Sequence, residues 1–145
     1  MTERVHIRAA TDDDLPTAIE MLGMAELPTQ DLSSRHLALV AESGAGVAGV
    51  IGLEAFGDVG LLRSLIVLPN ARGSGVGSSL VKSLEPIARE RGIKELWLLT
   101  IDADQFFSRL NFNVRRREFA PEAIQGSEEF SALCPGDAVL MSKYL

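Results

Sequence analysis

The hydrophobic pattern of the first 35 residues predicts one strand and one main helix. Val5–Arg8 alternates as a short strand does, and a helical period follows over residues 15–22, with Gly23 as the stop. Thr11–Asp14 has the spacing of a capping box at the start of this helix. Residues 27–35 are polar and predict a short second helix. The apolar stripe of the main helix consists of Leu15, Ile19 and Leu22.

Residues 36–100 change between strand and helix periods. Residues 36–43 and 46–56 flank a glycine-rich turn and predict a hairpin, and a GDVG turn leads to a further strand at 61–68. A helix that ends near Gly92 comes next, followed by a buried strand at 95–100. The apolar stripe of that helix consists of Val76, Leu80, Leu84, Ile87 and Ala88, and Pro86 lies inside the helix, where we expect a kink.

The last third of the chain predicts a short helix at 103–110 and two strands, at 113–119 and 138–145. Residues 121–137 are expected to be helical in part. This order predicts an α/β protein with a mixed sheet of six to seven strands and helices on both faces. At 145 residues we expect a single domain over 1–145.

Composition narrows the functional class. The apolar fraction of 46% and the charged fraction of 23% are typical of a soluble globular protein. A net charge of −6 argues against nucleic acid as a partner, because phosphate binding requires clustered Lys and Arg. The one cysteine, Cys134, excludes an internal disulfide and a multi-cysteine metal site, so we expect no metal. No signal peptide or membrane span is evident, and we expect a cytoplasmic protein.

Three glycines at alternate positions, Gly73, Gly75 and Gly77, separate the strand at 61–68 from the helix that follows. A strand, a glycine-rich loop and a helix N-terminus together favour anion binding, because the first-turn amides are unpaired and glycine lets an anion come close. The spacing matches neither a Walker A loop nor the dinucleotide-binding fingerprint. From the glycines alone, an anion site and an ordinary flexible loop are equal interpretations.

The context of these glycines resembles the GCN5-related N-acetyltransferase (GNAT) superfamily. The run Arg72-Gly73-Ser74-Gly75-Val76-Gly77 is similar to the superfamily's diphosphate-binding signature, and Val67-Leu68-Pro69 precedes it as the superfamily's pattern requires. Downstream, FFSRLNF resembles a second conserved segment, with Asn111 in place of the usual glycine. The order of elements resembles this superfamily across nearly the whole chain.

The resemblance implies acetyl-coenzyme A as the cofactor. Backbone groups of residues 65–67 would pair with the pantetheine arm where two strands splay apart, and amides of residues 72–78 would hold the diphosphate. Side chains at the three glycine positions would keep the phosphates away from those amides. The implied cofactor-binding residues are Leu65, Ile66, Val67, Arg72, Gly73, Ser74, Gly75, Val76, Gly77, Ser78 and Phe106.

A narrower resemblance is to the arsenic-resistance N-acetyltransferase branch. The segments that carry it are GLEAFGD, LLRSLIV, ELWLLT, FFSRLNF and EEFSALCPGDAVLM. That branch resembles amino-acid acetyltransferases, including the acetyl-transfer domain of N-acetylglutamate synthases. The resemblance implies transfer of acetyl to the amine of a small, amino-acid-like acceptor by direct attack in a ternary complex. Dimers are common in the superfamily, so a homodimer is expected.

Glu54 is the candidate catalytic base, because a charge in an otherwise apolar strand is costly unless it has a purpose or a partner. The alternative is structural: if the hairpin turns at GDVG, Glu54 and Arg63 face each other and form an ion pair. Arg63 also suits the carboxylate of an amino-acid-like acceptor, since its guanidinium can bind bidentately. The substrate-binding candidates are Arg63, Ser64, Thr100 and Phe107.

Two further positions keep other functions open. Many relatives have a tyrosine at the position of Phe107 that protonates the departing thiolate, and phenylalanine has no proton to donate. A non-catalytic regulatory module that binds coenzyme A is therefore an alternative, as is a peptide or protein N-acetyltransferase. Cys134 suggests an acetyl-cysteine intermediate, but the superfamily usually transfers directly.

Overall fold

The computed structural model describes residues 5–24, 36–44, 46–71, 75–127 and 138–145. Its strands are β1 (His6–Ala9), β2 (Leu37–Ser43), β3 (Gly46–Phe56), β4 (Val59–Val67), β5 (Glu95–Thr100), β6 (Asn113–Arg115) and β7 (Val139–Tyr144). Its helices are α1 (Leu15–Met24), α2 (Val76–Glu90), α3 (Asp104–Arg109) and α4 (Glu122–Gln125), with 3-10 helices at Asp12–Asp14, Pro69–Ala71 and Arg117–Phe119. Among the described residues, no helix is long and apolar enough to cross a membrane.

The seven strands form one mixed sheet in the order β1-β2-β3-β4-β5-β7-β6. β1 with β2, β2 with β3, β5 with β7 and β6 with β7 are antiparallel pairs, whereas β4 and β5 are parallel. The α/β class, the mixed sheet and its flanking helices are thus confirmed. The helix predicted at 27–35 lies outside the described residues, as does most of the segment 121–137 beyond α4.

The chain forms two compact units. The first unit comprises Met1–Leu53 with Ser64–Ile87, and the second comprises Glu54–Arg63 with Ala88–Leu145. Both β3 and β4 therefore contribute residues to each unit. The single domain expected from the sequence stays a prediction.

In the first unit, α1 covers the sheet with one apolar face. Ala18 and Leu22 are fully buried against Leu37, Val40 and Val50. Two details of the predicted helix are wrong. Ile19 is 39% exposed, because the buried stripe runs through Ala18, Met21 and Leu22 instead. Gly23 is inside α1 rather than its stop.

A charge cluster that the sequence pattern did not reveal fixes the start of α1. The Arg8 guanidinium donates two 2.9 Å bonds to the Asp14 carboxylate and a 3.2 Å bond to Glu42. Asp14 also accepts a 2.8 Å bond from the Thr11 amide, which confirms the carboxylate half of the predicted capping box. These donors, Arg8 first, lower the pKa of Asp14 to about 2.

The second unit has a core built around β5 and β7. The buried residues that form it are Leu61, Trp97, Leu99, Ala120, Ile124 and Leu140. The Arg115 guanidinium lies 5.0 Å from the centre of the Trp97 ring and donates a 3.0 Å bond to the Ser142 hydroxyl. The strand predicted at 113–119 ends at Arg115, because the basic run after Val114 provides no alternating apolar residues to hold it on the sheet.

Asn111, which stands where the family pattern resembled by the sequence has glycine, ends α3. Its φ of 73° is left-handed, a conformation that asparagine tolerates better than most residues. The Asn111 amide donates to the Ser108 carbonyl at 3.1 Å, and the Phe112 amide donates to the Phe107 carbonyl at 3.1 Å. This is the hydrogen-bond pattern of a Schellman C-cap, so Asn111 fills the structural role of glycine there.

Candidate functional site

β4 changes backbone conformation at Ser64. The parallel ladder with β5 joins Val59–Leu61 to Glu95–Trp97, whereas β4 itself continues to Val67. Ser64 has a φ of 59° and is 7% exposed. A left-handed, non-glycine residue inside a strand marks a bulge, which redirects the peptide groups that follow it. Ser64 was predicted to bind substrate, and its conformation shows a structural contribution to the strand as well.

The residues after Ser64 form the segment predicted to bind pantetheine. Leu65, Ile66 and Val67 are all half-buried, in contrast to the buried residues that precede them on β4. Beyond them, the Leu68 amide donates a 2.8 Å bond to the Ala48 carbonyl, which ties this end of β4 to β3. The backbone of residues 65–67 is therefore held in place against β3, and the residues themselves are partly exposed.

The N-terminus of α2 presents three consecutive amides. The Ser79 amide donates to the Gly75 carbonyl at 2.9 Å, which is the first hydrogen bond of the helical ladder. The amides of Val76, Gly77 and Ser78 therefore precede the ladder and have no acceptor within the helix. Gly75 itself is left-handed, with a φ of 84°. Arg72, Gly73 and Ser74 lie outside the described residues.

This arrangement fits a diphosphate. α2 has 15 residues, so its N-terminus carries the full positive end of a helix dipole. A Cβ at Gly75 would meet no atom of the described residues within 4 Å, so that part of the chain leaves the space beside Gly75 open. Unpaired amides, a positive dipole and open space are the features by which helix N-termini bind phosphate groups.

Glu54 and Arg63 form the second group of predicted site residues. Arg63 Nη1 lies 3.2 Å from Glu54 Oε1, so the predicted ion pair is confirmed. The Arg63 side chain is 0% exposed and the Glu54 side chain is 21% exposed. Within the described ranges, no donor lies at hydrogen-bonding distance from the other carboxylate oxygen, Glu54 Oε2.

The two members of this pair differ in what they offer to solvent. A buried guanidinium is costly unless it is compensated, so the Glu54 carboxylate contributes to keeping Arg63 in place. In return, Arg63 fixes the direction of the carboxylate. The partly exposed member of the pair is therefore the anion, which suits an ammonium group or a proton to be removed.

Thr100, Phe106 and Phe107 are all placed in the second unit. The Thr100 hydroxyl accepts a 3.0 Å bond from the Ala103 amide, so it shapes the turn between β5 and α3. Phe107 is 5% exposed and packs edge-on against Phe106, with ring centres 5.0 Å apart. It also packs edge-on against Phe112 at 5.6 Å. Phe107 is therefore part of the core of this unit, while Phe106 is half-buried.

The predicted residues thus fall into two sets. Ser64, the segment 65–67 and the amides of residues 76–78 belong to the first unit. Glu54, Arg63, Thr100, Phe106 and Phe107 belong to the second. Tyr144, the one tyrosine of the chain, is 72% exposed at the end of β7. Cys134 lies outside the described residues.

One residue near the first set was not singled out from the sequence. Gly49 of β3 lies so near the backbone of Ile66 that a Cβ atom at position 49 would be 3.0 Å from the Ile66 carbonyl oxygen. Its only signal in the sequence is a glycine inside a strand pattern, which generally indicates a bulge or a close backbone approach.

Comparisons with known proteins agree with this arrangement. An uncharacterised N-acetyltransferase of Chlorobaculum tepidum is 35% identical over 63 residues, which cover 43% of this chain and 40% of that protein. The structure of N-acetylglutamate synthase from Neisseria gonorrhoeae, complexed with coenzyme A and N-acetyl-glutamate, matches with a TM-score of 0.83 and 22% identity. That match covers 100% of this chain and 36% of the synthase.

A third similar protein is Rv2747 of Mycobacterium tuberculosis, whose structure contains coenzyme A. It matches with a TM-score of 0.79 and 21% identity, over 97% of this chain and 99% of that one. The chain thus spans well under half the length of the Chlorobaculum relative and of the gonococcal synthase. At these identities the structural likeness establishes the fold.

The family itself is established by sequence. Residues 6–112, well over half of the chain, match the acetyltransferase (GNAT) family. The match extends from β1 to the residue after the Asn111 cap and includes the glycine loop. The chain therefore belongs to the GNAT family of acetyltransferases.

Proposed function

We propose that the protein is an acetyl-CoA-dependent N-acetyltransferase whose acceptor is a small, amino-acid-like amine. The observation that carries the proposal is the family match over residues 6–112. The likeness to an N-acetylglutamate synthase, with a TM-score of 0.83, supports an amino-acid-like acceptor. Within the family, the sequence segments quoted above favour the arsenic-resistance branch, and a homodimer is the expected assembly.

The first unit holds the cofactor in this proposal. Backbone groups of residues 65–67 bind the pantetheine arm, and the amides of residues 76–78 bind the diphosphate together with Arg72, Gly73, Ser74 and Gly75. When bound, acetyl-CoA supplies an activated acyl group, and the amide of Ile66 or Val67 orients its carbonyl oxygen.

The second unit handles the acceptor. Glu54 takes a proton from the acceptor's ammonium group, directly or through water, because its side chain is 21% exposed. Arg63 holds the Glu54 carboxylate in a fixed direction from its buried position and adds positive charge for an anionic group of the acceptor. Thr100 shapes the turn between β5 and α3 in this unit, and Phe107 belongs to the unit's apolar core. Ser64, the first residue of β4 that belongs to the first unit, sets the local conformation of the strand.

The test is acetyl transfer by the purified protein to a panel of amines, measured as release of free thiol. Glu54→Gln should lower kcat/KM by about two to four orders of magnitude, the range for loss of a general base. Glu118→Gln is the matched control, because it alters an exposed Arg116–Glu118 pair at 3.4 Å. Rates of Glu54→Gln equal to those of the control would remove Glu54 from the mechanism.

A coenzyme A-binding module without turnover is the second candidate, because Phe107 has no proton to donate. It predicts that coenzyme A binds while no amine in the panel is acetylated. Acetylation of peptide N-termini in preference to free amino acids would instead support a peptide N-acetyltransferase.

A further inference from the structure

Gly49, in the middle of β3, lies against the segment proposed to bind pantetheine. A Cβ atom at this position would be 3.0 Å from the Ile66 carbonyl oxygen, 3.2 Å from Leu80 Cδ1 and 3.4 Å from Val67 Cγ2. Two of these three contacts are tighter than a packed side chain normally accepts. Glycine is therefore required where β3, the end of β4 and α2 meet within the first unit.

The closest contact has little means of relaxing. The Ile66 oxygen belongs to the main chain, so it cannot rotate away as a side chain does. Leu80 is 0% exposed, which leaves its methyl group no solvent to move into. The 2.8 Å bond from the Leu68 amide to the Ala48 carbonyl ties β4 to β3 one residue from Gly49. An added methyl group at Gly49 must therefore displace the backbone of β4 at Ile66.

We propose that Gly49 is a positioning residue for coenzyme A, which sets where the peptide groups of Ile66 and Val67 lie. This inference rests on the proposed function, because those peptide groups matter only if they bind the cofactor. Directional hydrogen bonds from a backbone segment depend on its position to within a fraction of an ångström. Gly49 thereby acts on binding through β4, without itself touching the ligand.

The test is the affinity for coenzyme A of Gly49→Ala, measured by titration calorimetry at a temperature where circular dichroism shows each variant folded. The expected result is a dissociation constant raised about tenfold. Gly23→Ala is the matched control, since a Cβ at Gly23 meets nothing within 4 Å and the residue lies in α1. The control should bind coenzyme A as the wild type does.

A second variant separates positioning from simple packing. Gly49→Ala combined with Leu80→Val adds one carbon at position 49 and removes one at position 80, together with the Cδ1 contact. Core volume is therefore roughly conserved while the Ile66 contact remains. We expect this double variant to regain thermal stability but to keep the tenfold weaker binding. If Gly49→Ala alone does not fold, the affinity for coenzyme A is measured on the double variant instead.

The outcomes are distinct. Wild-type affinity in Gly49→Ala, or affinity restored in the double variant, would overturn the positioning role, because the effect would then be absent or due to Leu80 packing. Failure of the wild-type protein to bind coenzyme A would instead overturn the proposed function itself, and the inference with it.

Discussion

The Glu54–Arg63 pair allows the sharpest prediction about this fold. Glu54→Ala removes a carboxylate 3.2 Å from a guanidinium whose side chain is 0% exposed. Removing one partner of a fully buried pair generally costs about 3–5 kcal/mol, since the remaining charge loses its compensation. Because Glu54 is itself 21% exposed and Arg63 has a further interaction besides Glu54, part of the loss is replaced, and we expect a cost of about 2–3 kcal/mol. In a domain of this size that lowers Tm by about 5–10 °C.

The assay is a double-mutant cycle of Glu54→Ala, Arg63→Met and the two combined, with unfolding in urea followed by circular dichroism. The combined variant should be more stable than the sum of the single changes predicts, with a coupling free energy of about 1.5–2 kcal/mol. The exposed pair Arg116–Glu118, whose side chains are 77% and 67% exposed, provides the control and should give less than about 0.5 kcal/mol.

Additivity of the two changes to within about 0.5 kcal/mol would refute the reasoning, because the contact would then contribute nothing to folding. The kinetic test uses a different variant of Glu54, which is chosen to remain folded. Glu54→Gln keeps a hydrogen-bond acceptor near Arg63, so a loss of rate in a variant that stays folded reports on chemistry rather than on stability.

Two further predictions concern the first unit. Asp14 has its pKa lowered to about 2 from 3.8, so the stability it adds is present above pH 3.8 and is lost as pH falls towards 2. Because the Arg8 side chain is 30% exposed to water, the loss of stability should be about 1–2 kcal/mol. The measurement is the urea midpoint of the wild type and of Asp14→Asn between pH 2 and 5. If the midpoint falls with pH by the same amount in both proteins, the prediction is wrong. Gly75→Ala should weaken coenzyme A binding at least tenfold in calorimetry while costing about 1 kcal/mol of stability. Gly57→Ala, with a similar φ of 70° and equally open space, is its control, and equal affinities of the two variants would count against the anion site at α2.

Local patterns were enough to predict most of the elements. The hairpin of β2 and β3, the strand β5 and the helix α2 were foreseen because each has a hydrophobic period that its own residues determine. The predictions were wrong where the hydrophobic period was weak, or where a packing partner distant in sequence decided the structure. Ile19 fits a helical stripe by spacing, yet α1 buries the face that contains Ala18, since the sheet beneath it decides which face is covered. The basic run after Val114 could not reveal from its own residues that β6 would end at Arg115.

The site divides in the same way. The sequence by itself determined the glycine loop, the helix that follows it and the pairing of Glu54 with Arg63, because strand-to-helix order and hairpin proximity are local properties of the chain. Only the tertiary structure decided that Arg63 is buried while Glu54 is partly exposed, and that Ser64 is left-handed inside β4. It also decided that a side chain at Gly49 would press against the Ile66 carbonyl. Exposure, strand bulges and backbone approach depend on elements far apart in sequence. No pattern along the chain encodes them, because they arise when those elements pack together.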